Sequence, residues 1–248
     1  MIELLYIIII GFVISLMAFI GIFTLAVKEN ILNQLLLLLV ALSAGTLIGG
    51  AFFHLLPEAV EASKGADIFT FALVGFILFF IIEKGLHWHH CHKGMPHKHT
   101  FHYMNLIGDT VHNFIDGLVL AASFVVSIPL GFATSIAIAA HEIPQEIGDF
   151  GVLVYGGFKK KRALILNFIV ALSIIIGGIV GYFVTQMVED ATVFLLPFAA
   201  GGFIYIAATD LIPEIRKETN IRRSVMVLEI FIIGILIMWL IKLIFHHA

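Results

Sequence analysis

Two short stretches decide how this chain is read: HNFIDG, from His112 to Gly117, and HEIPQE, from His141 to Glu146. Each sets ionisable and amide side chains in the middle of a long apolar run. Such groups are expensive in hydrocarbon. An Asp at the centre of a membrane helix costs about 2.5–3.5 kcal/mol on insertion scales. The first question is therefore whether the surrounding runs are membrane spans.

Composition answers it. Hydrophobic residues make up 60% of the 248 residues and charged residues 12%, with a mean hydropathy of +1.08. Soluble domains carry about 25% charged residues, and one aqueous core could not hide this much apolar surface. The net charge of -3 provides no basic field for nucleic acid. The single cysteine, Cys91, excludes an intramolecular disulfide. Glu3 and the lack of a basic leader make the first apolar run a retained span rather than a cleaved signal.

A membrane helix needs roughly 20 apolar residues. The sequence predicts eight, at 3–27, 32–57, 68–87, 103–127, 129–156, 161–187, 191–214 and 223–245. Charged or turn-forming stretches separate them, except near 127, where only Pro129 and Gly131 mark a break. The runs are continuous rather than alternating, which argues against a β-barrel. With the N-terminus outside, twelve of the fourteen Lys and Arg fall inside, all but Lys64 and Lys242. The positive-inside rule thus puts both termini outside the cytoplasm. AGTLIGGAFFHLLPEA from Ala44 aligns without a gap with AGGFIYIAATDLIPEI from Ala200, setting Pro57-Glu58 on Pro213-Glu214 and His54 on Asp210. The two copies run in opposite directions, as in inverted-repeat transporters. Spans 1–3 then mirror spans 6–8 around spans 4 and 5. The fold class is an all-α membrane protein, a single transmembrane domain over residues 1–248.

Spans 4 and 5 carry the opening motifs. Asp109, His112, Asn113 and Asp116 recur at spacings that share one helix face, and so, for the most part, do His141, Glu142, Gln145, Glu146 and Asp149. Facing each other, the two stripes bury their polar groups together. Imidazole with carboxylate suits a divalent transition metal. His112 with Asp116, and His141 with Gln145, are i, i+4 pairs that can share one ion. Asn113, Glu142 and the second oxygen of Asp116 can hold another. Pro144 strips the bond from the Ala140 carbonyl four residues back, which offers that oxygen to an ion. Gly117 and Gly148 are expected to let helices approach closely. Single buried polar residues are often structural partners, but two full stripes are not. HEIPQE also brushes the HExxH zinc-protease pattern, but Gln145 replaces the second His and Pro144 interrupts the turn.

These motifs resemble those of the Zrt-/Irt-like (ZIP) divalent metal transporters, and the similarity covers the whole chain. The HE opening is similar to a subfamily in which the position of Gln145 is usually His; other branches have Glu there. The resemblance implies a secondary transporter moving divalent metal, zinc foremost, toward the cytoplasm. It implies a binuclear site, with His112, Asp116, His141 and Gln145 on the first ion and Asn113, Glu142 and Asp116 on the second. It also implies a homodimer and an elevator-like motion of spans 1, 4, 5 and 6 against the rest. Zinc is cargo in this reading; no cofactor is expected, and the plasma membrane is the expected location.

Residues 87–102 hold seven of the twelve histidines and Cys91. This density binds zinc or copper without fixed geometry and reads as a cytoplasmic receiver of metal. His54 and Glu58, with Glu61 and Asp67 beyond, are placed to gather cations at the outer entrance. Asp210 and Glu214 are the repeat mates at the inner end. A solvated helix end accounts for Glu58 and Glu214 nearly as well. The two C-terminal histidines read as incidental. A cation-diffusion exporter would have six spans and inside termini. The rival from another class, a membrane-embedded metal-dependent hydrolase, would need an open coordination position. No Ser or His pattern outside spans 4 and 5 suggests a substrate site for it.

Overall fold

A computed structural model describes residues 1–25, 28–63, 67–91, 98–155, 157–188 and 191–246. Among these, the chain forms eight helical rods and no strand. Rod α1 is Ile2–Ser15, continued by 3-10 turns over Leu16–Leu25; α2 is Glu29–Gly50, a π turn at Ala51–Leu55, then Leu56–Ala62. Next come α3, Ile68–Cys91, α4, Lys98–Val126, and α5, Ile128–Tyr155. Rod α6 joins Lys160–Ala171 to Ser173–Met187 across Leu172. Rod α7 runs Ala191–Ile206, a π turn at Ala207–Leu211, then Ile212–Ile215; α8 is Ile221–His246. Six rods, α1, α2, α4, α6, α7 and α8, contain stretches long and apolar enough to cross a membrane. Rod α5 carries Glu142, Glu146 and Asp149 within its length, which lowers its apolar character.

The uncharged break near residue 127 is a one-residue turn. Ser127 alone separates α4 from α5, and its hydroxyl oxygen accepts the Leu130 N–H at 3.2 Å. Pro129 then sits in the first turn, where its missing N–H costs nothing. The two π turns have a common cause. Pro57 and Pro213 each follow one of them. A proline leaves the carbonyl four residues back without its donor and crowds it, and widening to i→i+5 bonding absorbs the misfit.

Rod α4 lies along the second half of α6, α2 along α8, and α3 along α7, while α5 packs on α4, α2 and the 3-10 end of α1. The core is built from Leu47, Leu120, Phe124, Ile138, Phe203 and Met238, all fully or almost fully buried. Around it, Phe12, Phe80, Ile176 and Leu236 stand exposed, as expected where lipid is the solvent. The α4–α6 crossing is at backbone contact. A Cβ on Gly117 would lie 2.1 Å from the Ile174 carbonyl oxygen, and one on Gly177 would lie 1.9 Å from that of Phe114. Glycine is required at both, and the contact fixes α4 beside Asp116. Gly148, expected to play the same part, has no atom of another helix within 4 Å of its would-be Cβ among the described residues. It sits on the exposed side of α5 and makes no close approach.

Candidate metal centre

The two polar stripes face each other across the α4–α5 seam. Asp109, Asn113, Asp116, His141, Glu142 and Glu146 are buried, and His112, Gln145 and Asp149 are half-buried. Four of them, His112, Asp116, His141 and Glu142, bring one ligand atom each within 4.8 Å of the others. His112 Nε2 lies 3.2 Å from His141 Nε2, 3.7 Å from Asp116 Oδ2 and 3.6 Å from Glu142 Oε1. His141 Nε2 lies 3.0 Å from Asp116 Oδ2 and 3.6 Å from Glu142 Oε1. Zinc binds nitrogen and oxygen at about 2.0–2.2 Å in a tetrahedron, whose edge is then about 3.4 Å. The five separations scatter around that edge.

Hydrogen bonding prepares the donors. His141 Nδ1 sits 3.1 Å from the Ala137 carbonyl oxygen. That contact assigns the proton to Nδ1 and leaves the Nε2 lone pair facing the cluster. Two Nε2 atoms 3.2 Å apart cannot both present lone pairs without a proton or cation between them. Among the described residues, Asp116 Oδ2 and Glu142 Oε1 are buried and accept no aligned hydrogen bond. Unsatisfied buried oxygens are rare enough to require a cause, and a bound cation supplies one.

Behind the cluster lies a second layer. Asp109 Oδ1 accepts Asn113 Nδ2 at 2.8 Å and Gln145 Nε2 at 3.0 Å. Gln145 therefore spends its amide donor on Asp109, and Glu142 stands among the four gathered ligands. Glu146 turns away toward α6, where Asn167 donates to its Oε2 at 2.5 Å. The Ala140 carbonyl, expected to be open to an ion, is occupied. Ser43 of α2 donates to it at 2.5 Å, so the oxygen stripped by Pro144 is capped by a neighbouring helix.

His112 opens on a cavity lined also by Phe79, Glu83, Tyr205 and Asp210, where the Tyr205 hydroxyl donates to Glu83. His54, Glu58 and Glu61 line a different cavity with Ser127 and Lys242, and His54 Nε2 lies 2.9 Å from the Met238 carbonyl oxygen. Asp67 caps the first turn of α3, accepting the Thr70 N–H at 3.1 Å. Glu214 is exposed and pairs with Lys217. Of the His-rich stretch, residues 92–97 lie outside the described residues, as does His247. Ser43, Glu83, Asn167 and Tyr205 escaped the sequence reading. Asn167, a lone amide in the apolar run LILNFIV, carried a signal that could have found it.

A family model described as ZIP Zinc transporter matches residues 2–102 and 95–242. Zinc transporter ZIP13 of Pongo abelii is 35% identical over 224 residues, covering 83% of this chain and 66% of that protein. Zinc transporter YKE4 of Saccharomyces cerevisiae is 32% identical, covering 76% of this chain and 63% of the relative. Zinc transporter zipt-7.2 of Caenorhabditis elegans is 38% identical, with 57% and 31% covered. The chain thus spans 31–66% of the length of these relatives.

Proposed function

The chain belongs to the ZIP zinc transporter family, and from that premise we propose that it is a secondary transporter carrying divalent transition metals, zinc foremost, toward the cytoplasm. One observation carries the reading: the His112, Asp116, His141 and Glu142 donors stand at the edge lengths of a tetrahedron around a metal. Two imidazoles and two carboxylates neutralise a divalent ion in a site walled by apolar helices. His112 is the ligand facing a cavity, so it is the one an ion meets first or leaves last. Asn113 Oδ1, buried without a hydrogen-bond partner, joins Glu142 and Asp116 on a second ion. Gln145 remains the residue whose rotation off Asp109 would add a fifth donor. Four protein ligands leave zinc no open position, which favours carriage over a membrane-embedded hydrolase.

In this reading all eight rods cross the membrane, and α1–α3 mirror α6–α8. Support comes from the π turns at Ala51–Leu55 and Ala207–Leu211, which occupy equivalent places in the two sequence copies. Gly45 meets the Phe231 carbonyl of α8 at 2.1 Å and its mate Gly201 meets the Ala72 carbonyl of α3 at 1.9 Å, each measured from a would-be Cβ. The rods also sort by packing, with α1, α4, α5 and α6 in one group and α2, α3, α7 and α8 in the other. Movement of the first group against the second carries the metal cluster. A homodimer, outside termini and a plasma-membrane location belong to the same proposal. Tags on both termini of intact cells read orientation and membrane together.

The test is uptake into proteoliposomes. His112→Ala and Asp116→Ala each lose a ligand and lower zinc uptake at least a hundredfold, roughly 2.7 kcal/mol, while inserting normally. Uptake at wild-type rates by either variant refutes the assignment.

A further inference from the structure

Two carboxylates beyond the four-ligand cluster share one arrangement: an amide holds one oxygen, and the other has no hydrogen-bond partner among the described residues. Asp109 Oδ1 is held by Asn113 and Gln145, and its Oδ2 is buried without a partner. Glu146 Oε2 is held by Asn167, and its Oε1 is likewise unpartnered. Asn167 comes from a third helix, α6, and is 0% exposed. Its Nδ2 also reaches the Glu146 carbonyl oxygen at 3.2 Å, yet its own Oδ1 has no partner. Three buried oxygens from three helices are thus oriented and unused.

Charge makes the same point. Among the described residues no lysine or arginine pairs with Asp109 or Glu146. Amide donors orient a carboxylate as outer-shell groups orient a metal ligand, but they carry no compensating charge. Buried carboxylates without a cation are strongly unfavourable.

We propose that Asp109, Glu146 and Asn167 form a separate cation station, about one helical turn (~5.4 Å) beyond the four-ligand cluster, that takes a divalent metal on oxygen alone. The transport reading supplies only its role, a stop between the cluster and the Lys98 end of α4. Asp109, Glu146 and Asp149 do not gather within 4.8 Å as the four cluster ligands do, so the station holds its ion loosely. A path must bind an ion well enough to admit it and weakly enough to release it. An all-oxygen set suits manganese relatively better than a set with imidazole, which suits zinc and its softer neighbours.

Equilibrium binding of Mn2+ and Cd2+ to the purified full chain in nanodiscs tests the station. Glu146→Gln and Asn167→Ala each lose one bound Mn2+ per protomer and keep the wild-type Cd2+ affinity at the cluster. Asn167→Asp, which adds a charged oxygen, tightens that Mn2+ about tenfold. The station is refuted if Glu146→Gln and Asn167→Ala bind wild-type numbers of Mn2+. Should those two variants fail to fold, absence of any gain in Asn167→Asp refutes it. Cd2+ binding that survives His112→Ala counts against the transport site instead, so the two failures are distinguishable.

Discussion

Removing the Ser43 hydroxyl tests the link between a proline and the helix that carries His141 and Glu142. Pro144 has no N–H for the Ala140 carbonyl, and Ser43 donates to that oxygen at 2.5 Å. The hydroxyl also lies 2.7 Å from the Leu39 carbonyl of its own helix, so its one hydrogen is shared. In Ser43→Ala the Leu39 oxygen keeps the bond expected within its own helix and the Ala140 oxygen is left without a donor. An unsatisfied buried acceptor costs about 1–3 kcal/mol. Ala140 is only half-buried, which sets the expectation near 1 kcal/mol, or roughly 2–4 °C in Tm for a chain of this size. In a Pro144→Ala background residue 144 regains its N–H and bonds Ala140 itself, so Ser43→Ala there costs almost nothing. Thermal unfolding of the four proteins in one detergent gives the cycle, and the coupling should be about 1 kcal/mol. Ser43→Thr, which keeps a hydroxyl, restores most of the loss. Equal Tm losses from Ser43→Ala in both backgrounds would falsify the account. The bond also crosses the seam between the two helix groups, and Ala140 immediately precedes His141 of the cluster. A change in zinc uptake rate is therefore expected alongside the change in stability.

Three further outcomes are expected. Gln145→His trades an amide that holds Asp109 for an imidazole beside the cluster; in competition uptake it raises zinc or cadmium preference over manganese about tenfold, roughly 1.4 kcal/mol, and an unchanged ratio refutes it. Gly177→Ala drives a methyl to 1.9 Å from the Phe114 carbonyl and costs about 1–3 kcal/mol of overpacking, seen as a lower Tm with weaker zinc uptake. Gly148→Ala, with open space around it, serves as the silent control. Replacing the histidines between His87 and His102 by Ser leaves zinc uptake largely intact and alters its regulation by cytoplasmic metal; loss of uptake with normal insertion assigns the stretch to the path.

The rods were legible because lipid imposes a simple constraint: every buried backbone group must bond within its own helix. Long apolar runs and their charged breaks marked the rod ends closely. Even the weak break near 127 was signalled by Pro129, although Ser127 itself makes the turn. The π turns were not foreseen. Their causes, Pro57 and Pro213, stand in the sequence as matched residues of a repeat, and the misfit each brings shows only in the built helix. Gly148 shows the limit of reading glycine from sequence. A missing Cβ permits close approach, but only a neighbouring backbone uses it, and among the described residues no other helix comes within 4 Å there.

The polar stripes were legible for an energetic reason: His, Asp and Glu cost so much in hydrocarbon that their presence demands a use. Their division of labour was not. Glu142, Gln145 and Glu146 lie within one turn of α5, and which of them joins the cluster depends on partners from other helices. Asp109 captures Gln145 and Asn167 captures Glu146, leaving Glu142 to His112 and His141. Ser43 escaped because a hydroxyl bonds its own helix cheaply and so announces nothing. Asn167 is different. An amide at 0% exposure in an apolar run needs a partner as much as a carboxylate does. Its partner, Glu146, is 21 residues away in sequence and becomes visible only when α6 is packed against α5.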